Sequence, residues 1–233
     1  SRRAGATRID INFDMDSNTL QIQDNGTGVS KFENLITLSD SGWSDAARSI
    51  ENPFGMGFFS TLFAAKQVVI ESSGKSLIID TATALNFEDI GQPTDSASCP
   101  NEGTRITLID FNKDGSDYSI QDKVSDLALF SSVDIYFNGE LQENKLALHL
   151  LEKEYETIET PYGTLVCKHK FSNKIAIVCQ ELRVGKHKSF SNYLFLNNSV
   201  QLRMPDRDAI INAEMFEKEV DKWLDAYWAN KLE

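Results

Sequence analysis

Asp24 and the glycines that follow it are the residues in this chain best suited to ligand chemistry. The segment 24–28, Asp-Asn-Gly-Thr-Gly, follows a run in which Leu20 and Ile22 alternate with polar residues. This alternation predicts a strand that ends at Asp24, so its carboxylate lies where a turn begins. A carboxylate held there can accept a hydrogen bond from an exocyclic amine such as that of adenine, and the glycines leave room for the ring. We therefore expect a pocket that reads a nucleotide base.

A second glycine motif, Gly-Met-Gly-Phe-Phe, occupies residues 55–59. Apolar residues then recur at helical spacing and predict that Gly57 opens a helix that covers Phe58–Lys66. A helix N-terminus after a glycine loop offers free N–H groups and the positive end of the helix dipole to a phosphate. Taken alone, this motif is more typical of a tight loop before a core helix. With Asp24 upstream and Glu-Gly-Thr at 102–104 downstream, phosphate binding is the favoured interpretation.

These motifs resemble the GHKL superfamily of ATPases, which includes type II topoisomerases, the ninety-kilodalton heat-shock chaperones, histidine kinases and MutL. Residues 4–11 and 23–28 are most similar to MutL and MORC proteins, and residues 52–60 to the chaperones. The resemblance covers about residues 1–112. It implies an α+β fold, the GHKL or Bergerat-type α/β sandwich with helices on one face of a mixed sheet. The order of the predicted helices and strands favours the same layering.

The resemblance also implies roles for particular residues. Asp24 would bind the adenine amino group, and ATP with Mg²⁺ would be the ligands. The polar segment Ser39–Asn52 lies where the superfamily keeps its ATP lid. The remaining residues that the resemblance places around ATP are Gly26 and Gly28 at the base, Thr104 beside Asp24 under the adenine, and Gly55, Met56, Gly57 and Phe58 along the phosphates.

The catalytic helix of the superfamily has no counterpart in residues 1–233. That helix carries a glutamate that activates water and an asparagine that holds Mg²⁺, and the alignment places both before Ser1. Arg3 also stands where MutL-like sequences often carry aspartate. We therefore assign no catalytic residue and no metal ligand within the chain, and expect hydrolysis to need an upstream helix. The predicted function is a nucleotide-controlled conformational switch.

Two other functions remain open. A histidine-kinase ATP domain would transfer phosphate, but residues 4–11 are MutL-like and no phosphoacceptor histidine helix is identifiable. A non-catalytic scaffold would keep the pocket in order to control partner binding.

Composition limits the cellular setting and the partners. The net charge of −12 argues against a nucleic-acid-binding protein as a whole, although residues 163–205 hold seven Lys or Arg against one Asp or Glu. This basic segment is either a solvated face or a surface for phosphate or nucleic acid. No apolar run approaches a membrane span, and three dispersed cysteines indicate a reducing compartment, so we expect a cytoplasmic protein. The resemblance adds an ATP-dependent homodimer as a partner arrangement.

The character of the sequence changes after Phe111, which gives a predicted division into three parts. Residues 1–112 are the ATP-binding domain, and 113–139 are a connecting helix and strand. Residues 140–233 form a smaller, mostly antiparallel module that ends in an amphipathic helix. By the resemblance this module is transducer-like, which means that it would sense the γ-phosphate.

Overall fold

The computed structural model describes residues 4–29, 31–36, 58–112, 120–143, 155–167, 174–184, 192–197, 200 and 210–232, and the structural statements below concern these residues. Contacts between Cα atoms divide the chain into two compact units, residues 1–143 and 144–233. The predicted connecting segment 113–139 lies entirely within the first of these units.

The first unit is built on an eight-stranded mixed sheet with the strand order β5-β4-β3-β6-β2-β1-β7-β8. Among its described strands, β1 and β7 pair in parallel and the other neighbouring strands are antiparallel. Its strands are β1 (Arg8–Asp14), β2 (Thr19–Asp24), β3 (Ala65–Ser72), β4 (Lys75–Asp80), β5 (Thr94–Asp95), β6 (Thr104–Phe111), β7 (Asp134–Phe137) and β8 (Glu140–Leu141). Its described helices are α1 (Glu33–Ile36), α2 (Phe59–Leu62), α3 (Thr81–Leu85) and α4 (Ile120–Ala128).

Strand register collects the apolar side chains of the first sheet on one face. Val68 lies opposite both Ile79 and Leu108, and all three are almost completely buried. Side chains from all four described helices pack into this same cluster, among them Leu62 and Val124. The alternate positions on β1 and β2 carry mostly polar side chains, as the period-two geometry of a strand requires. The predicted sandwich with helices on one face of a mixed sheet is therefore confirmed.

Two predictions at the element level need correction. The helix predicted over Phe58–Lys66 ends at Leu62, and β3 begins at Ala65. Pairing of Ala65 with Phe111 of β6 extends the sheet and overrides the helix-favouring composition of this stretch. The strand at 134–137, predicted as part of a connector, is an integral strand of the first sheet because it pairs with β1.

The second unit contains a five-stranded sheet with the strand order β12-β11-β13-β10-β9. In the described part of this unit, β11 and β13 pair in parallel and the other neighbouring strands are antiparallel, so the sheet is mostly antiparallel, as expected. Val220, Leu224 and Trp228 of its long helix pack on one side of this sheet against Leu165 and Leu194. The elements are β9 (Glu156–Thr160), β10 (Gly163–Cys167), β11 (Ile175–Cys179), β12 (Leu182–Val184), β13 (Asn192–Leu196) and α5 (Ala213–Leu232).

Candidate nucleotide-binding site

Asp24 is the last residue of β2 and lies on the helix-covered side of the sheet. It pairs with Ile9 of β1, and Ile22, two residues earlier on the same face, packs against the core. One carboxylate oxygen, Oδ1, accepts hydrogen bonds from the backbone N–H of Gly26 at 2.9 Å and of Thr104 at 3.3 Å. These two donors fix the orientation of the carboxylate at the end of the strand. The structure therefore brings Asp24, Gly26 and Thr104 together.

At two positions the backbone lies so close to neighbouring atoms that only glycine fits. A Cβ on Gly26 would lie 2.7 Å from the Cβ of Ala4, which is too close for any side chain. Gly103 has φ +77°, and a Cβ there would overlap the carbonyl oxygen of Asp24. Glycine at position 26 allows close contact with Ala4, and glycine at position 103 allows close contact with Asp24.

Ser72 joins the glycine turn to β6, a role that the sequence does not reveal. It has no exposed surface. Its hydroxyl accepts from the N–H of Val29 at 2.8 Å and donates to the carbonyl of Gly103 at 2.7 Å. Gly28, with φ +78°, lies against this hydroxyl. The only signal in the sequence is a small polar residue that ends an apolar strand, which is a common pattern.

Asn25 fastens the same turn to the beginning of β1. Its side-chain oxygen accepts hydrogen bonds from the N–H groups of Thr7 at 2.9 Å and Arg8 at 3.0 Å. The N–H of Thr27 in turn donates to the carbonyl of Ala4 at 2.9 Å. These hydrogen bonds join residues that are 18 and 17 positions apart in the chain, so Asn25 connects two separate segments, which explains why the position between Asp24 and Gly26 is polar.

A cavity of about 470 Å³ adjoins this cluster and has a mixed polar and apolar lining. Asp24 does not line it directly, but Gly26 and Gly103, which contact Asp24, do. The other wall is the loop 100–102, which leads into β6. The volume is within the range usual for small-molecule sites.

The loop that forms this wall is held by a partly buried ion pair. Arg105 Nε donates to Glu71 Oε2 at 2.7 Å, and the Ser98 hydroxyl donates to the other oxygen of Glu71. Arg105 Nη2 also donates to the Ser98 carbonyl. The hydrogen bond from Arg105, together with that from Ser98, lowers the pKa of the Glu71 carboxyl, against the opposing effect of its burial. We call Glu71, Ser98 and Arg105 the Glu71 clamp.

The predicted phosphate-binding residues Gly55, Met56 and Gly57 lie outside the described residues, as does the segment 39–52 predicted as a lid. Phe58 precedes α2 and is partly buried against the core of the first unit. Within the described part of the chain, no group of three or more His, Cys, Asp or Glu side chains could hold a metal ion.

Comparison with known proteins identifies the first unit. Residues 1–115 match the family model for histidine kinase-, DNA gyrase B- and HSP90-like ATPases. These residues form an ATP-binding domain of the GHKL superfamily.

Curated relatives agree with this membership. The chaperone protein HtpG of Shewanella baltica is 30% identical over 118 residues, and that of Ehrlichia canis is 33% identical over 119. These alignments cover 45% and 44% of this chain, and each spans 18% of the relative's own length. HtpG of Fusobacterium nucleatum is 28% identical over 153 residues, which cover 58% of this chain and 25% of the relative.

The solved ATPase region of Saccharomyces cerevisiae topoisomerase II is similar in fold, with a TM-score of 0.58 and 14% identity. The similarity covers 88% of this chain and 71% of the yeast one, and at this identity it shows the fold alone. Among the described residues, no helix is both long enough and apolar enough to span a bilayer.

Proposed function

We propose that the GHKL domain of this chain binds ATP with Asp24 as the reader of the adenine amine, and that nucleotide binding controls a conformational switch. The observation that carries this proposal is the orientation of the Asp24 carboxylate by the N–H groups of Gly26 and Thr104. A preoriented acceptor binds an amine donor without a further ordering cost. Gly28 shapes the base pocket, and Gly55, Met56, Gly57 and Phe58 are proposed to line the phosphates.

Calorimetric titration of the folded chain with ATP and GTP tests the assignment of Asp24. Asp24→Asn replaces an acceptor with a group that also donates, so ATP affinity should fall by about ten- to a hundredfold, as expected for a lost hydrogen bond to a charged group. Discrimination between ATP and GTP should change as well. Asp16→Asn, the same substitution in the exposed turn between β1 and β2, is the matched control. Unchanged ATP affinity in Asp24→Asn would refute the assignment of Asp24 as the group that binds the adenine amine.

We further propose that hydrolysis uses a glutamate base and a Mg²⁺-binding asparagine from outside residues 1–233. The superfamily places both on a helix to which no segment of this sequence corresponds. Metal-assisted attack of water needs a positioned base, so the chain should bind ATP with little or no turnover. Steady phosphate release that Asp24→Asn abolishes would show that a base within these residues had been overlooked. Transfer of phosphate to a protein histidine would instead support a kinase.

The second unit, residues 144–233, is proposed as the transducer that responds to the γ-phosphate. An ATP-dependent homodimer is the proposed partner arrangement, and sedimentation with and without a non-hydrolysable ATP analogue tests it. Nucleic-acid binding through the basic segment 163–205 and a cytoplasmic location also stay predictions.

A further inference from the structure

The Glu71 clamp lies on the opposite side of the sheet from Asp24 but acts on the same stretch of backbone. Thr104, whose N–H donates to Asp24, is followed directly by Arg105 in β6. Because successive side chains of a strand alternate between faces, Arg105 projects onto the outer face, where it meets Glu71 across the strand pair. The position of the Thr104 N–H group therefore depends on the start of β6, which the clamp holds in place.

The clamp also fixes the loop that precedes Thr104. Ser98 is bonded to both Glu71 and Arg105, and the N–H of Ser96 donates to the carbonyl of Gly74 at 2.9 Å. From these anchors the chain runs through 100–102, which line the cavity, to Gly103 in contact with Asp24. One set of charged hydrogen bonds thus supports both the cavity wall and the contact that orients the Asp24 carboxylate.

The burial of Glu71 distinguishes this arrangement from an ordinary surface ion pair. Glu71 is 7% exposed, and a carboxylate so far removed from water is costly unless charged and hydrogen-bonded partners surround it. A second ion pair, Lys66–Asp110 at 3.1 Å, joins the same two strands at their other end, and there both side chains are exposed. Exposed pairs of this kind contribute little to stability. The exposed ion pair Lys66–Asp110 therefore serves as a control for the clamp.

We propose that the Glu71 clamp is a positioning element of the base pocket, which sets the preference for adenine over guanine nucleotides by holding Thr104 and Gly103 against Asp24. This inference rests on the proposed function, in which Asp24 reads the base. Glu71, Ser98 and Arg105 touch no ligand in this scheme and act only through the backbone.

The experiment measures the affinities of the full chain for ATP and GTP in Glu71→Gln, Ser98→Ala and the control Lys66→Gln. We expect Glu71→Gln to reduce ATP affinity by about fivefold, the effect of one supporting hydrogen bond, and to reduce the ATP-to-GTP affinity ratio. Hydrogen exchange in 98–104 should accelerate in the same variant. Lys66→Gln should preserve both the ratio and the exchange. A general loss of stability would not alter base preference at temperatures well below unfolding.

Ser98→Ala keeps the test valid if Glu71→Gln fails to fold, because it removes only the hydroxyl of an exposed loop residue. A wild-type affinity ratio in Ser98→Ala and in folded Glu71→Gln would overturn the proposal, and so would an equal loss in Lys66→Gln. Asp24→Asn distinguishes a failure of the proposed function from a failure of the clamp proposal. If it binds ATP like the wild type, the proposed function fails, whereas a strong effect of Asp24→Asn with none from the clamp variants refutes the clamp alone.

Discussion

At the scale of single residues, Gly103 shows how closely the backbone is packed around Asp24. Its φ is +77°, and a methyl group there would overlap the Asp24 carbonyl. Gly74 has nearly the same φ, +76°, but a Cβ there would meet nothing within 4 Å. The two glycines therefore separate the cost of left-handed backbone from the cost of steric overlap.

We predict that Gly103→Ala destabilises the chain by about 3 kcal/mol or more, whereas Gly74→Ala costs about 1 kcal/mol for the strained φ alone. Denaturant unfolding of both variants measures the difference. Gly103→Ala should also weaken ATP binding, since Asp24 has to move. Equal destabilisation in the two variants would mean that the contact between Gly103 and Asp24 does not constrain the site.

The sequence identified the prominent residues of this site but not the ones that support them. Asp24 and Thr104 stand in local motifs, so their proximity could be expected from the resemblance. Ser72 and Glu71 contact residues that are 31 and 34 positions away in the chain, and these contacts depend on the pairing of β3 with β6. Local patterns carry no information on such register until the sheet has been assembled.

At the scale of elements, prediction succeeded where one periodicity dominated a segment. β2 ends at Asp24, as the alternation of Leu20 and Ile22 predicts, and Asn138-Gly139 joins β7 to β8 in a hairpin with both residues at positive φ. The helix predicted to continue through residues 63–66 is wrong there, because the helix-favouring residues Ala65 and Lys66 begin β3. Their strand conformation is stabilised by the pairing of β3 with β6. Short elements such as α3 carry too few apolar positions for any period to be read.

The long helix α5 offers a test of packing in the second unit. Leu224 is 1% exposed and lies in the cluster that joins α5 to the sheet. Leu224→Ala should lower the free energy of unfolding by about 2–5 kcal/mol because it leaves a cavity. Lys222→Ala, two residues away on the exposed side, should change it by less than about 0.5 kcal/mol. Thermal unfolding compares the two, and similar effects would show that α5 does not depend on this face.

At the scale of the whole molecule, acid should destabilise the fold in a defined direction. The pKa of Glu71 is lowered by its hydrogen bonds from Arg105 and Ser98, and that of Asp14 by those from Ser17 and the Asp16 N–H. For each group the unfolded chain binds a proton more tightly than the folded chain does, so protonation favours unfolding. The stabilisation is present at neutral pH and is lost as the pH falls below about 4.5, the ordinary value for Glu71.

Urea unfolding at pH values between 7 and 3.5 measures this loss. The free energy of unfolding should change little with pH down to about 5 and then decline. Glu71→Gln, which has no carboxyl at this position, should show a shallower decline than the wild type. Parallel pH profiles for the two proteins would contradict a lowered pKa for Glu71 in the folded state.

The proposed switch makes a prediction that involves both units. If the second unit senses the γ-phosphate, a non-hydrolysable ATP analogue should alter hydrogen exchange within 144–233, while ADP should not. Both nucleotides should protect the base pocket around 24–28 and 103–105, because each presents adenine to Asp24. Coupling of about 1–3 kcal/mol, usual for linked sites, corresponds to a five- to 150-fold change in exchange and is readily measured. At ligand concentrations that just saturate the wild type, Asp24→Asn should weaken every ligand-dependent change, and it serves as the control for non-specific effects. Protection confined to residues 1–143 with either nucleotide would refute the switch and favour a scaffold. A ligand changes the conformation of the second unit only if it binds one conformational state of the protein more tightly than another.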